Sequence, residues 1–101
     1  MSWVESHIFD EPFADVRGDP RRADVLGAEL AREIGPSHPL ANRDWTVVAE
    51  GIPQDDVVIT HGERVALVHL TWSGHAEPSP WPATLFLPTQ ADFEVLVSQR
   101  Y

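Results

Sequence analysis

The amino-acid pattern predicts an α+β fold in two layers. A three- to four-stranded antiparallel meander packs against one helix from the N-terminal half and a second at the C-terminal end. Three observations carry this expectation. Two strand-like runs, residues 55–60 and 64–72, flank the turn sequence His61-Gly62-Glu63. Apolar side chains recur at helical spacing behind capping residues near positions 19 and 89. With 101 residues, 43% of them hydrophobic, the chain supports one core but not two, so residues 1–101 read as a single domain.

Taken in order, Trp3 to Phe9 alternate loosely and read as an edge strand, and Asp10 to Gly18 as a loop anchored by Phe13. Asp19 caps the first helix, and Pro20 takes its first position, where a missing N–H costs nothing. Ala23, Leu26, Leu30 and Ile34 form its inner stripe, with Glu29, Arg32 and Glu33 placed outside. Gly27 weakens it by about 1 kcal/mol relative to alanine unless another backbone packs closely there. Gly35-Pro36 ends it, and a connection runs from Ser37 to Arg43.

Asp44 to Glu50 reads as a strand, with Trp45, Val47 and Ala49 on one face and Thr46, Val48 and Glu50 on the other. A turn at Gly51 to Gln54 leads into the strand from Asp55 to Thr60. Glycine suits the first central position of a type II′ hairpin turn, so Gly62 and Glu63 are the favoured centre. That register sets Ile59 opposite Ala66, Val57 opposite Val68 and Asp56 opposite His69. A turn centred on His61-Gly62 sets Gln54 opposite His69 instead. Beyond the hairpin, Ala66, Val68, Leu70 and Trp72 form an apolar face, whereas Val65, Leu67, His69 and Thr71 turn polar at their far end. Ser73 to Pro82 holds Pro78, Pro80 and Pro82 and reads as a stiff extended loop. Thr84 to Leu87 suits a short strand. Thr89 and Asp92 form a shortened capping box for a helix whose inner stripe is Phe93, Leu96 and Val97.

Sixteen acids face seven arginines and no lysine, a formal charge of −9, and the segment from Asp44 onward carries eight of those acids against two arginines. Such a chain repels nucleic acid and anionic membranes and attracts basic proteins; acidity also keeps a small domain soluble. The lack of cysteine excludes disulfides, thiolate metal sites and cysteine nucleophiles. No apolar run is long enough to span a bilayer. The first residues, Met-Ser-Trp-Val-Glu, have neither the basic start nor the apolar core of a signal peptide, so a cytoplasmic location is expected.

Asp56 and His69 form the best candidate polar pair. A carboxylate beside an imidazole orients the ring, which suits acid–base chemistry and equally suits a half-buried structural histidine. His7, His38, His61, His69 and His75 have no helical ligand spacing, and His61 and His69 stand roughly 17 Å apart along the hairpin, so no metal or other cofactor is expected. Neither a nucleophile elbow nor a phosphate-cradling glycine loop is present. Trp72 and Trp81 among the loop prolines suit either a partner anchor or a core filler with a lid.

The segments Asp55-Asp56-Val57-Val58, Val65-Ala66-Leu67-Val68-His69-Leu70-Thr71-Trp72 and Pro80-Trp81-Pro82, with His38-Pro39-Leu40 upstream, resemble an uncharacterised family of small bacterial proteins. The resemblance spans roughly residues 38–97 and implies a compact bacterial domain; it brings no activity, cofactor or catalytic set. The functional expectation is therefore a non-enzymatic, acidic protein-binding domain of the immunity or inhibitor type. Its partner would be a basic toxin or nuclease-like protein, met by Asp55, Asp56, Glu63, Glu77 and Trp81. The alternative is a small hydrolase or ligand-binding domain centred on His69 and Asp56 beneath the proline loop.

Overall fold

A computed structural model describes residues 2–101. Five antiparallel strands form one sheet in sequence order: β1 (Phe13–Asp15), β2 (Thr46–Gly51), β3 (Asp56–His61), β4 (Arg64–His69) and β5 (Ala83–Phe86). Helix α1 (Pro20–Glu33) lies between β1 and β2, and α2 (Gln90–Arg100) follows β5. The fold is thus α+β with an antiparallel meander, one strand longer than the upper expectation.

The hairpin turn sets the central register. Gly62 has φ of +59°, and the β3–β4 ladder pairs Asp56 with His69, Val57 with Val68 and Ile59 with Ala66. Alternation then divides the side chains. Val57, Ile59, Ala66, Val68 and Leu70 pack with Leu26 and Leu30 of α1, while Val58, Val65 and Leu67 pack with Phe93 of α2. The helices therefore cover opposite faces, and the sheet is the middle layer of three rather than one of two. This explains why β3 and β4 are apolar on both faces.

Three local expectations are corrected. Trp3–Ser6 is a short 3-10 helix rather than an edge strand; its Trp3 indole N–H donates to the Leu87 carbonyl at 2.9 Å. The edge strand is instead Phe13–Asp15, within the expected loop. In β2 the pairing shifts between Val47 and Ala49, so a bulge at Val48 breaks the alternation. Val47 stays on the α1 side, but Val48 and Ala49 both face the α2 side. Past the bulge Glu50 pairs with Val57 and reaches the Arg22 guanidinium in two bonds of 2.9 Å.

The helix boundaries follow their caps. The Asp19 carboxylate accepts from the Arg22 N–H at 3.2 Å, and Thr89 and Asp92 complete the capping box of α2. Among the described residues no helix is long and apolar enough to cross a membrane.

Candidate functional site

The α1 side of the sheet ends in a carboxylate clamp that sequence reasoning missed. Glu29 and Glu33, expected on the outside of α1, are 2% and 0% exposed. Four residues apart, they lie on one helix face and meet the chain leaving β4. Glu33 accepts the Thr71 N–H at 2.8 Å and the Trp72 N–H at 2.9 Å. Glu29 accepts the Gly74 N–H at 3.0 Å and the Arg32 guanidinium at 3.1 Å. Burial, and then the neighbouring Glu29 carboxylate, push the Glu33 carboxyl above its ordinary range. Glu29 is held low by its hydrogen bond with Glu33 and by the Gly74 and Arg32 donors.

This clamp turns the backbone sharply. Trp72 has φ of +57°, a left-handed conformation that is costly for a bulky residue, and the residue is 41% exposed. Of the two roles open to Trp72, that of core filler does not hold: the apolar face that runs along β4 ends at Leu70, which is buried.

On the α2 side, Asp56 and His69 do pair: Nδ1 of the ring lies 2.9 Å from Asp56 Oδ1. The pair is half of a larger cluster. Arg100 donates to both Asp56 oxygens at 2.7 and 2.9 Å, and the Tyr101 hydroxyl donates to Oδ2. Asp56 is 0% exposed, so its assignment as a partner contact is overturned; its acceptors are spent inside the fold. Gly51, opposite Asp56 in the β2–β3 ladder, makes room for this, because a Cβ there would run into the Tyr101 hydroxyl and come within 3.1 Å of the Phe13 ring. Burial, and then the Asp56 carboxylate, raise the Tyr101 phenol well above its ordinary value. Nothing local in the sequence joins Asp56 to side chains 44 and 45 positions away.

The remaining expected contacts do not form one patch. Asp55 and Glu63 are exposed but cap opposite ends of β3, roughly 20 Å apart at strand rise. Glu77 is half-buried and accepts from the Thr71 hydroxyl at 3.0 Å. Trp81 is 50% exposed and lines an open groove of about 320 Å³ with His69, Leu85, Leu96 and Arg100.

His38 stands in the sequence pattern with no role legible there, and it anchors the proline loop. Its buried ring accepts the Leu40 N–H at Nδ1 (3.0 Å), which leaves Nε2 to donate to the Pro82 carbonyl at 2.9 Å. The two outlying pieces of the pattern, His38-Pro39-Leu40 and Pro80-Trp81-Pro82, therefore meet in space. Comparison with protein-family models, curated proteins and solved structures finds no match.

Proposed function

We propose that this chain is a non-enzymatic acidic protein-binding domain, an inhibitor of the immunity-protein type that neutralises a basic toxin or nuclease-like partner. The observation that carries the reading is the disposition of charge. Arg17, Arg22, Arg32 and Arg100 are held by Asp15, Glu50, Glu29 and Asp56. Meanwhile Glu5, Asp10, Glu11, Asp19, Asp24, Asp44, Asp55, Glu63, Asp92 and Glu94 are all exposed. The outward field is negative, and it favours encounter with a basic surface.

Two tryptophans supply the anchors. The indole N–H groups of Trp3 and Trp45, both partly buried, donate to the Leu87 and Leu40 carbonyls. Those of Trp72 and Trp81 have no partner among the described residues, although both rings lie half-exposed on one anchored loop. Half-exposed rings with an unused donor are the features that hot spots are built from.

The test is affinity capture from extract of the native host at low and high salt. A basic protein is expected on the immobilised chain at low salt, released by salt, and held about tenfold more weakly by Trp81→Ala. Recovery of no basic protein, or retention indifferent to salt, overturns the proposal.

The second reading, a small hydrolase or ligand-binding domain centred on His69 and Asp56, draws on one observation: His69 lines the Trp81 groove. Against it, Arg100 and Tyr101 already occupy Asp56. The Thr84 hydroxyl in that groove donates to the Pro82 carbonyl at 3.0 Å. Nitrogen NMR of the His69 ring tests the pairing: one tautomer protonated at Nδ1 is required, and a ring that exchanges freely between tautomers removes this reading.

A further inference from the structure

We infer that the outer edge of β5 is a docking site for an extended segment of the partner, which joins the sheet as a sixth strand with apolar side chains at alternate positions. This deepens the protein-binding reading above and rests on it.

The phase of the β4–β5 ladder provides the first argument. Leu87 N–H donates to the Val65 carbonyl at 2.9 Å, and the pairing continues without a shift through Leu67–Leu85 to His69–Ala83. In an antiparallel ladder hydrogen-bonded pairs alternate, so Ala83, Leu85 and Leu87 turn their backbone groups towards β4. Thr84 and Phe86 turn theirs away. Among the described residues neither backbone N–H has a partner, and neither carbonyl accepts a bond. The opposite edge of the sheet differs. There the Arg17 guanidinium, paired with Asp15 of β1, binds the Val4 and His7 carbonyls at 2.9 and 3.0 Å and ties the N-terminal segment beside that strand. One edge is attended and the other is open.

The second argument is the surface on either side of that edge. A strand laid along β5 sends its side chains alternately to the two faces of the sheet. Each face offers a groove. On the α2 face it is the groove of about 320 Å³ beside Trp81, Leu85 and Leu96. On the other it is an open groove of about 420 Å³ beside Pro39, Phe86 and Pro88. Leu85 and Phe86, neighbours on β5, are 48% and 42% exposed, one in each groove. Main-chain bonds along an edge with pockets for alternate residues are the ingredients of recognition by strand addition.

Charge decides between occupants. Two copies paired about Leu85 would satisfy the same four backbone groups, but each copy carries −9 and opposes the other. A basic partner meets no such opposition from the molecule as a whole. The side chains it lays in the grooves are uncharged, because Arg64, 5.8 Å over the Phe86 ring, lines one groove and Arg100, paired with Asp56, lines the other.

The probe is a displayed library of linear random peptides selected on the folded chain, with the selected peptides synthesised for NMR. Bound peptides are expected to slow hydrogen exchange at the Thr84 and Phe86 amides at least about tenfold, with much smaller changes at Ala83 and Leu85. Thr84→Pro removes one outward N–H and leaves the inner ladder intact, so it lowers peptide affinity at least about tenfold. Methylating alternate peptide nitrogens does the same to the wild-type complex, independently of how the variant folds. Failure to select any peptide, protection of amides elsewhere, or full affinity in Thr84→Pro overturns the inference. Concentration-dependent dimerisation that protects the same two amides assigns the edge to a second copy and also overturns it. Salt-sensitive capture of a basic protein by Thr84→Pro at wild-type strength leaves the protein-binding reading standing without the edge. Peptide pairing at β5 with no basic partner captured does the reverse.

Discussion

Asp56 takes four hydrogen bonds through two oxygens, from His69, Arg100 and Tyr101, and none of its surface meets water. A buried carboxylate held this way is worth more through what its loss exposes than through what it adds. Because burial and then Asp56 raise the Tyr101 phenol, the neutral phenol is the form the fold favours. Its contribution to stability is present below the ordinary phenol value near pH 10 and declines as pH rises through the folded value. Asp56→Asn is expected to bring the phenol down towards that ordinary value, read by ultraviolet titration. Glu33 follows the same sign in another range. Its folded carboxyl lies above the ordinary 4.5, so its contribution is present below that pH and is lost as pH rises through the raised value. Glu29, held low, contributes above the ordinary 4.5 and loses that contribution on acidification. Urea unfolding across this range is expected to show a decline above 4.5 that Glu33→Gln flattens; an unchanged slope would mean Glu33 carries no raised carboxyl. The pairing of Asp56 with His69 was legible because a hairpin register follows from one glycine and simple counting. Glu29 and Glu33 were not legible, since a charge on a helix reads as solvated until an acceptor for turning backbone is needed beside it.

At the scale of the element, the two helices were readable from their caps, while β2 was not readable from alternation. Its bulge at Val48 leaves no mark in a run of small apolar residues, yet it decides that Glu50 meets Arg22. Glycines now separate into kinds. A Cβ at Gly27 would meet nothing within 4 Å, so no close backbone contact accounts for glycine there. Gly27→Ala is expected to stabilise the protein by about 0.5–1 kcal/mol, seen as a higher thermal midpoint. Gly51→Ala is expected to destabilise it and to displace Tyr101 from Asp56, with a corresponding fall in the phenol pKa. Equal effects from the two changes would contradict this distinction.

In the molecule as a whole, the chain's apolar content is divided between two cores on either side of one sheet. That division was hidden in the sequence, because strands apolar on both faces carry no mark of which helix covers which side. The loop from Thr71 to Trp81 runs outside both cores, between the buried Leu70 and Pro82, and it is held at each end, by Glu29 and Glu33 at one and by His38 at the other. This has a consequence for enzymes that cut polypeptides. A protease must draw several residues of extended chain into its cleft, and a segment whose amides are bound cannot be drawn in without opening. Chymotrypsin cuts after aromatic residues but not before proline, so Trp81-Pro82 is refractory and Trp72-Ser73 is the loop's one aromatic scissile bond. That bond lies between two clamped amides. Under native conditions it is expected to survive in the wild type and to be cleaved in Glu33→Ala well before global unfolding, so that the exposed loop is as durable as the carboxylate beneath it.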